Sequence, residues 1–113
     1  MWRIDYYAEP SGNQPVAEWL DELDKKTRNH MQDKIVRLQK RGLMLLNTNM
    51  IRPLKGYSGD FYEIKYSQYR IALYHDTINS TFVLLHGFKK ERQREPREIE
   101  KAFSRLIDYQ SRG

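Results

Sequence analysis

Residues 61–74, with the sequence FYEIKYSQYRIALY, alternate apolar and polar side chains with the period of a β-strand. If residues 67–68 form a two-residue hairpin turn, apolar side chains pair with apolar ones on one face of the hairpin. On the other face, Lys65 then lies directly opposite Arg70. Two cations in this arrangement repel each other unless an anion lies between them. The stretch therefore predicts a β-hairpin with a phosphate-binding face.

A third strand is indicated by residues 81–88, which are almost continuously apolar up to His86. Such a strand is typical of the centre of a sheet covered on both faces. A loop over residues 76–80 would place His86 opposite Arg70. The basic run at residues 89–94 leaves this strand beside the same face. We therefore expect the chemistry of the protein to be concentrated there.

The remaining elements are predicted from periodicity and from helix-terminating residues. A strand over residues 2–7 is followed by a helix starting at Pro15, a second helix from Lys25 to Arg41 ending at Gly42, and a last helix starting at Pro96. We predict an α+β fold in the order β-α-α-β-β-β-α. Its sheet is four-stranded and mainly antiparallel, with the two N-terminal helices packed on one face and a C-terminal helix. The first strand should lie beside the apolar third hairpin strand.

Composition limits the class of protein. The 113 residues predict one domain, residues 1–113, and the net charge of +5 favours a polyanionic or acidic partner. The chain has no cysteine, which is consistent with the reducing cytoplasm. It has no apolar stretch of about 20 residues, so no membrane association is expected.

Several motifs together resemble the RelE/ParE toxin superfamily, and most closely its phage-derived HigB-like branch. They are PLKG at residues 53–56, FYEIK at 61–65, YRIALY at 69–74, LLHGFKK at 84–90 and the helix that starts at Pro96. The resemblance implies a bacterial or phage type II toxin that is neutralised by a cognate antitoxin, often one with a helix-turn-helix domain. Many such toxins cleave mRNA on the ribosome, without a metal or other cofactor, and so inhibit translation. Others bind DNA gyrase.

Candidate catalytic residues follow partly from the resemblance and partly from chemistry. The resemblance places Lys65 near the attacking 2′-hydroxyl, Arg70 at the transition-state phosphate, and Lys90 at the leaving group or the phosphate. Arginine suits its role because its planar fork grips two phosphate oxygens and stays charged. His86 is a candidate for proton transfer near neutral pH, with a structural histidine as the alternative. The chain departs from the family pattern at Glu63, where some members carry a second basic residue.

A second set of basic residues is expected to bind RNA or the ribosome, with solubility as the alternative reading: Lys55, Lys89, Arg92 and Arg94. No metal site is predicted, because the three histidines lie on separate elements without ligand spacing. The sequence thus favours a metal-independent, ribosome-dependent mRNA endonuclease toxin. The alternatives are a non-enzymatic toxin that binds gyrase or another protein, and a degenerate relative that only binds RNA.

Overall fold

The structure, a computed structural model, describes residues 1–54, 56–57 and 59–112, with only the backbone of Asn47. Its elements are β1 (Arg3–Tyr6), α1 (Pro15–Glu22), α2 (Lys25–Arg41), a 3₁₀ helix (Gly42–Asn47), β2 (Ile51–Pro53), β3 (Phe61–Tyr66), β4 (Tyr69–Asp76), β5 (Thr81–Lys89) and α3 (Pro96–Arg112).

The strands form one five-stranded sheet in the order β1-β5-β4-β3-β2. β1 runs parallel to β5, which confirms its predicted position, and the other pairs are antiparallel. The β3–β4 hairpin has the predicted register, with Lys65 opposite Arg70. The predicted count of four strands is wrong, because β2 adds a fifth strand at the edge. β2 is too short to show a period, and its Pro53 is tolerated only because the strand is at an edge.

The pairing of β4 with β5 differs from the prediction. Asp76 belongs to β4 and pairs with Thr81, and a bulge shifts the register between Ala72 and Leu73. As a result His86 lies opposite Ala72, and Phe88 takes the place opposite Arg70. The carboxylate of Asp76 accepts hydrogen bonds from the backbone and side-chain amides of Asn79, which fixes the turn one residue later than expected. The bulge is an extra residue that the apolar pattern does not reveal.

Helices cover both faces of the sheet. α1 and α2 pack on one face, which confirms the prediction for these two helices, and α3 packs on the other. The first core contains Val16, Leu20, Met31, Ile35, Leu38, Ile64, Ile71, Leu73, Phe82 and Leu84. The second contains Tyr7, Phe61, Ala72, Val83, Leu85, Ala102 and Leu106.

Local chemistry explains the helix ends and one glycine. The Asp24 carboxylate caps α2 by accepting a hydrogen bond from the amide of Thr27 at 3.1 Å. Gly42 ends that helix with a φ of 56°, as predicted. Gly87 lies in the middle of β5 because the indole ring of Trp19 packs directly on it, where any Cβ atom would overlap that ring.

In the part of the chain that the structure describes, no helix combines the length and the apolar character needed to cross a membrane.

Candidate functional site

A charged cleft lies where α3 leaves its sheet face uncovered. α3 packs over the apolar side chains of β4 and β5, whereas the side chains nearest the β3–β4 turn on that face are charged. The cleft has a volume of about 610 Å³. Its lining is Arg52, Leu54, Gly56, Tyr57, Glu63, Phe88, Lys90, Gln93, Arg94, Glu95, Pro96 and Ile99. Three cations thus surround a cleft that also contains two aromatic rings and two carboxylates.

The floor of the cleft is an ion-pair network around Glu63. This residue is only 2% exposed, and its Oε1 accepts a hydrogen bond from Nε of Arg52 at 2.6 Å. Nε of Arg70 lies 3.6 Å from the same oxygen. A buried carboxylate is stable when cations neutralise it, and here one cation is exposed and the other is buried.

Arg70 lies beneath the cleft rather than on an open sheet face. Its exposed fraction is 6%, and its Nη1 donates to the carbonyl oxygens of Ser67 and Tyr69 at 2.7 and 3.0 Å. Its Nε has no hydrogen-bond partner among the described residues. Burial lowers the pKa of the guanidinium and Glu63 opposes this effect, but arginine remains charged in proteins. The group is therefore a buried positive charge with an unused donor.

The predicted lysines lie on either side of the hairpin turn. Lys65 is half-buried on the cleft side of β3 and lies opposite Arg70. Lys90 lines the cleft, and its amide donates to the carbonyl of Gln68 at 2.6 Å, which fixes the chain just after β5. The structure thus brings Lys65, Arg70 and Lys90 to one end of the sheet.

His86 is separated from this group, since it lies under α3. Arginine only donates, so the 2.9 Å contact between Nη1 of Arg105 and Nδ1 of His86 makes Nδ1 the acceptor. Nε2 then carries the proton and donates to Oε2 of Glu98 at 3.2 Å. Burial, more than any other cause, lowers the pKa of His86 from its ordinary value, Glu98 raises it and Arg105 lowers it. A neutral ring with both nitrogens occupied links β5 to α3 in this conformation.

The basic run that begins at the last residue of β5 lies partly at the cleft and partly outside it. All three of Lys89, Arg92 and Arg94 are exposed, but only Arg94 of these lies at the rim of the cleft. The carboxylate of Glu95 accepts hydrogen bonds from the amides of Glu91 and Arg92, which orders the segment before α3. The prediction for Lys55 lies outside the described residues.

Sequence reasoning missed the structural partners of the site. Arg52 and Phe88 are not among the residues that the sequence predicts for the site, and Glu63 is predicted only as a departure from the family pattern. The signal for Glu63 was present, because a carboxylate two residues before Lys65 shares its face of the strand. Arg52 could not be found in the same way, because β2 was not recognised.

Among residues 1–54, 56–57 and 59–112, no three His, Cys, Asp or Glu side chains are grouped so that they could hold a metal ion.

Comparisons with known proteins agree with this architecture. The family model described as "Phage derived protein Gp49-like (DUF891)" matches residues 18–106. No match was found among curated proteins. A free-state double mutant of the E. coli toxin RelE superposes with a TM-score of 0.65 and 17% identity, covering 93% of this chain and 97% of the other. The isolated E. coli RelE toxin gives a TM-score of 0.61 and 21% identity, covering 91% and 99%.

Both structural matches are too distant in sequence to show more than the fold, whereas the family model spans most of the chain. The protein therefore belongs to the phage-derived Gp49-like family and has the fold of the E. coli RelE toxin structures.

Proposed function

We propose that the protein is the toxin of a type II toxin-antitoxin system and cleaves mRNA on the ribosome without a metal ion, thereby inhibiting translation. The observation that carries this proposal is the cleft itself. Arg52, Lys90 and Arg94 line it, the half-buried ring of Tyr57 offers an aromatic surface, and the buried charge of Arg70 lies beneath. Cations that track a phosphate backbone, combined with aromatic rings on which bases stack, are typical of single-stranded RNA sites.

RNA cleavage through its own 2′-hydroxyl needs a proton acceptor, stabilisation of negative charge on the phosphate, and a proton donor for the leaving 5′-oxygen. Arg70 supplies charge stabilisation from below the cleft. The ammonium group of Lys90, in the cleft lining, donates to the leaving oxygen. Lys65, on the same side of β3, accepts the proton of the attacking 2′-hydroxyl on its neutral amine. These roles combine the family resemblance with the grouping of the three side chains at the hairpin turn.

His86 has a positioning role in this proposal rather than a catalytic one. Its two hydrogen bonds hold α3 against β5, and the N-terminal end of α3 forms one wall of the cleft. Loss of His86 should therefore weaken the packing of α3 against β5, and should affect RNA cleavage only as a consequence of that change.

The proposed partner is a cognate antitoxin, with a helix-turn-helix domain, whose acidic segment neutralises the surplus positive charge. The proposed location is the cytoplasm, where mRNA and ribosomes are found. Expression without the antitoxin should arrest bacterial growth. Normal growth with abundant folded protein would contradict the proposal.

The test of the enzymatic function is primer-extension mapping of cellular transcripts after induction. New 5′ ends within translated codons, absent when the protein carries Arg70→Ala, are expected. Growth arrest without new ends would instead favour a non-enzymatic toxin that binds gyrase or another protein.

A second experiment tests the metal-independent mechanism with purified ribosomes programmed with mRNA. Cleavage should continue when the concentration of free divalent ions is reduced, as long as the ribosomes stay intact. A requirement of the toxin itself for an added metal ion would contradict the metal-independent mechanism.

A further inference from the structure

A cluster of aromatic and basic side chains lies on the sheet face opposite the cleft, at the same hairpin turn. The rings of His30 and Tyr66 are stacked at 4.4 Å with an angle of 13°. Nζ of Lys34 lies 5.0 Å from the centre of the Tyr66 ring, and Nζ of Lys89 lies 6.0 Å from that of Tyr69. We call these five residues the ledge.

The ledge presents a stacking surface to solvent. Tyr66 is half-buried between β3 and α2, but His30 is exposed, so one face of its ring remains available. The ledge carries two lysines, and the nearby carboxylate of Asp33 is paired with Arg37 at 3.0 Å. Among the described residues, neither lysine forms an ion pair. An exposed aromatic face with such cations beside it attracts an unpaired base and its phosphates more than it attracts an apolar protein segment.

The ledge is continuous with the cleft around the end of the sheet at the β3–β4 turn. Lys65 and Tyr66 are consecutive in β3, so one side chain points to the cleft side and the other to the ledge. Lys90 lines the cleft, whereas the preceding Lys89 contacts the ring of Tyr69 on the ledge. Only a two-residue turn, Ser67 and Gln68, separates the two faces here. A single strand leaving the cleft over this turn therefore meets cations and aromatic rings without a break.

We propose that the ledge is a second RNA-binding site, which stacks a base flanking the scissile phosphate on His30 and holds the adjoining phosphates with Lys34 and Lys89. This inference rests on the proposed function, since it assumes that RNA occupies the cleft. The ledge lies on α2 and on the sheet face opposite the cleft. It binds nucleotides of the same RNA strand that lie beyond those at the reaction centre.

The test measures binding by fluorescence anisotropy, using 2′-O-methyl oligoadenylates that cannot be cleaved. The proposal predicts that a trimer occupies the cleft alone, whereas a dodecamer also reaches the ledge. His30→Ala should weaken dodecamer binding about fivefold or more and leave trimer binding nearly unchanged. Lys34→Ala should weaken dodecamer binding and reduce its dependence on salt by about one released counterion. The matched control is Lys40→Ala, an exposed cation ten residues along α2 from His30.

A dodecamer backbone without bases separates stacking from charge. Its binding should be insensitive to His30→Ala and sensitive to Lys34→Ala. If both variants leave dodecamer binding unchanged, or if they weaken trimer and dodecamer equally, the ledge is not a second RNA site. If His30→Ala and Lys34→Ala weaken binding of polyglutamate as much as that of RNA, the surface is an acidic-protein site and the proposal is overturned. Failure of the proposed function is a different result, because wild-type protein would then leave cleavable mRNA intact on ribosomes.

Discussion

Replacing Arg70 by alanine should nearly abolish RNA cleavage and also destabilise the fold. Loss of one preorganised charge contact at a reacting phosphate typically raises the barrier by about 3 to 4 kcal/mol, which is roughly a hundred- to thousandfold in rate. The same side chain is 6% exposed, makes two hydrogen bonds to the hairpin turn and lies beside the buried Glu63. The variant thus affects catalysis and folding together.

The loss of stability in Arg70→Ala depends on which contacts the former partners of Arg70 retain. Breaking a buried ion pair by removing one member typically costs about 3 to 5 kcal/mol. Here Glu63 retains Arg52 at 2.6 Å, and the carbonyl of Ser67 lies in an exposed turn where water replaces the lost donor. We therefore expect Arg70→Ala to lower the free energy of unfolding by about 2 to 3 kcal/mol. Repulsion between Arg70 and Lys65 acts in the opposite direction and by itself would make the substitution neutral or slightly stabilising.

Arg70→Lys separates the two effects. It keeps a cation beside Glu63, so unfolding in urea should change by less than in Arg70→Ala, but it loses the planar fork. Cleavage of ribosome-bound mRNA should still fall at least about tenfold. Lys40→Ala, which removes an exposed charge on α2, should match wild type in both measurements. Wild-type cleavage by folded Arg70→Ala would refute the role of Arg70, and an equal loss in Lys40→Ala would show that net charge alone is responsible.

Three further predictions concern groups outside the cleft floor. Tyr109→Phe should lower stability by about 1 kcal/mol at neutral pH, since the hydroxyl donates to Asp76 at 2.8 Å. Burial and this bond raise the pKa of Tyr109 to about 12, so wild-type stability should fall between about pH 10 and 12, and urea titrations of the variant should lose that slope. Burial lowers the pKa of His86, so its contribution to the stability of the fold is complete above about pH 6.5 and is lost as the pH falls through the lower pKa of the folded state. His86→Asn should therefore reduce the loss of thermal stability at acid pH. An unchanged loss would contradict the neutral, buried ring. Gly87→Ala should cost about 1 to 3 kcal/mol and shift the fluorescence of Trp19, whereas wild-type stability would show that the indole does not pack on this backbone.

Local sequence was sufficient for the three α-helices and for the β3–β4 hairpin. Periodicity and end residues predicted α2 from Lys25 to Arg41, the start of α1 at Pro15 and the start of α3 at Pro96, all of which the structure confirms. These features depend on contacts within one turn or on a missing amide proton, so they are written in adjacent residues. The hairpin register was predictable for the same reason, because a two-residue turn fixes it.

The site depended on contacts that adjacent residues do not encode. The bulge in β5 moved His86 beneath α3, and the short strand β2 brought Arg52 to Glu63. A one-residue change in register is nearly invisible in a strand that is apolar on both sides, and a three-residue edge strand has no period to detect. The sequence by itself determined the three α-helices, the strands other than β2, and that Lys65 faces Arg70. Only the tertiary structure decided that Arg70 is buried as a partner of Glu63, because its burial depends on side chains from three different strands and on where α3 stops covering the sheet.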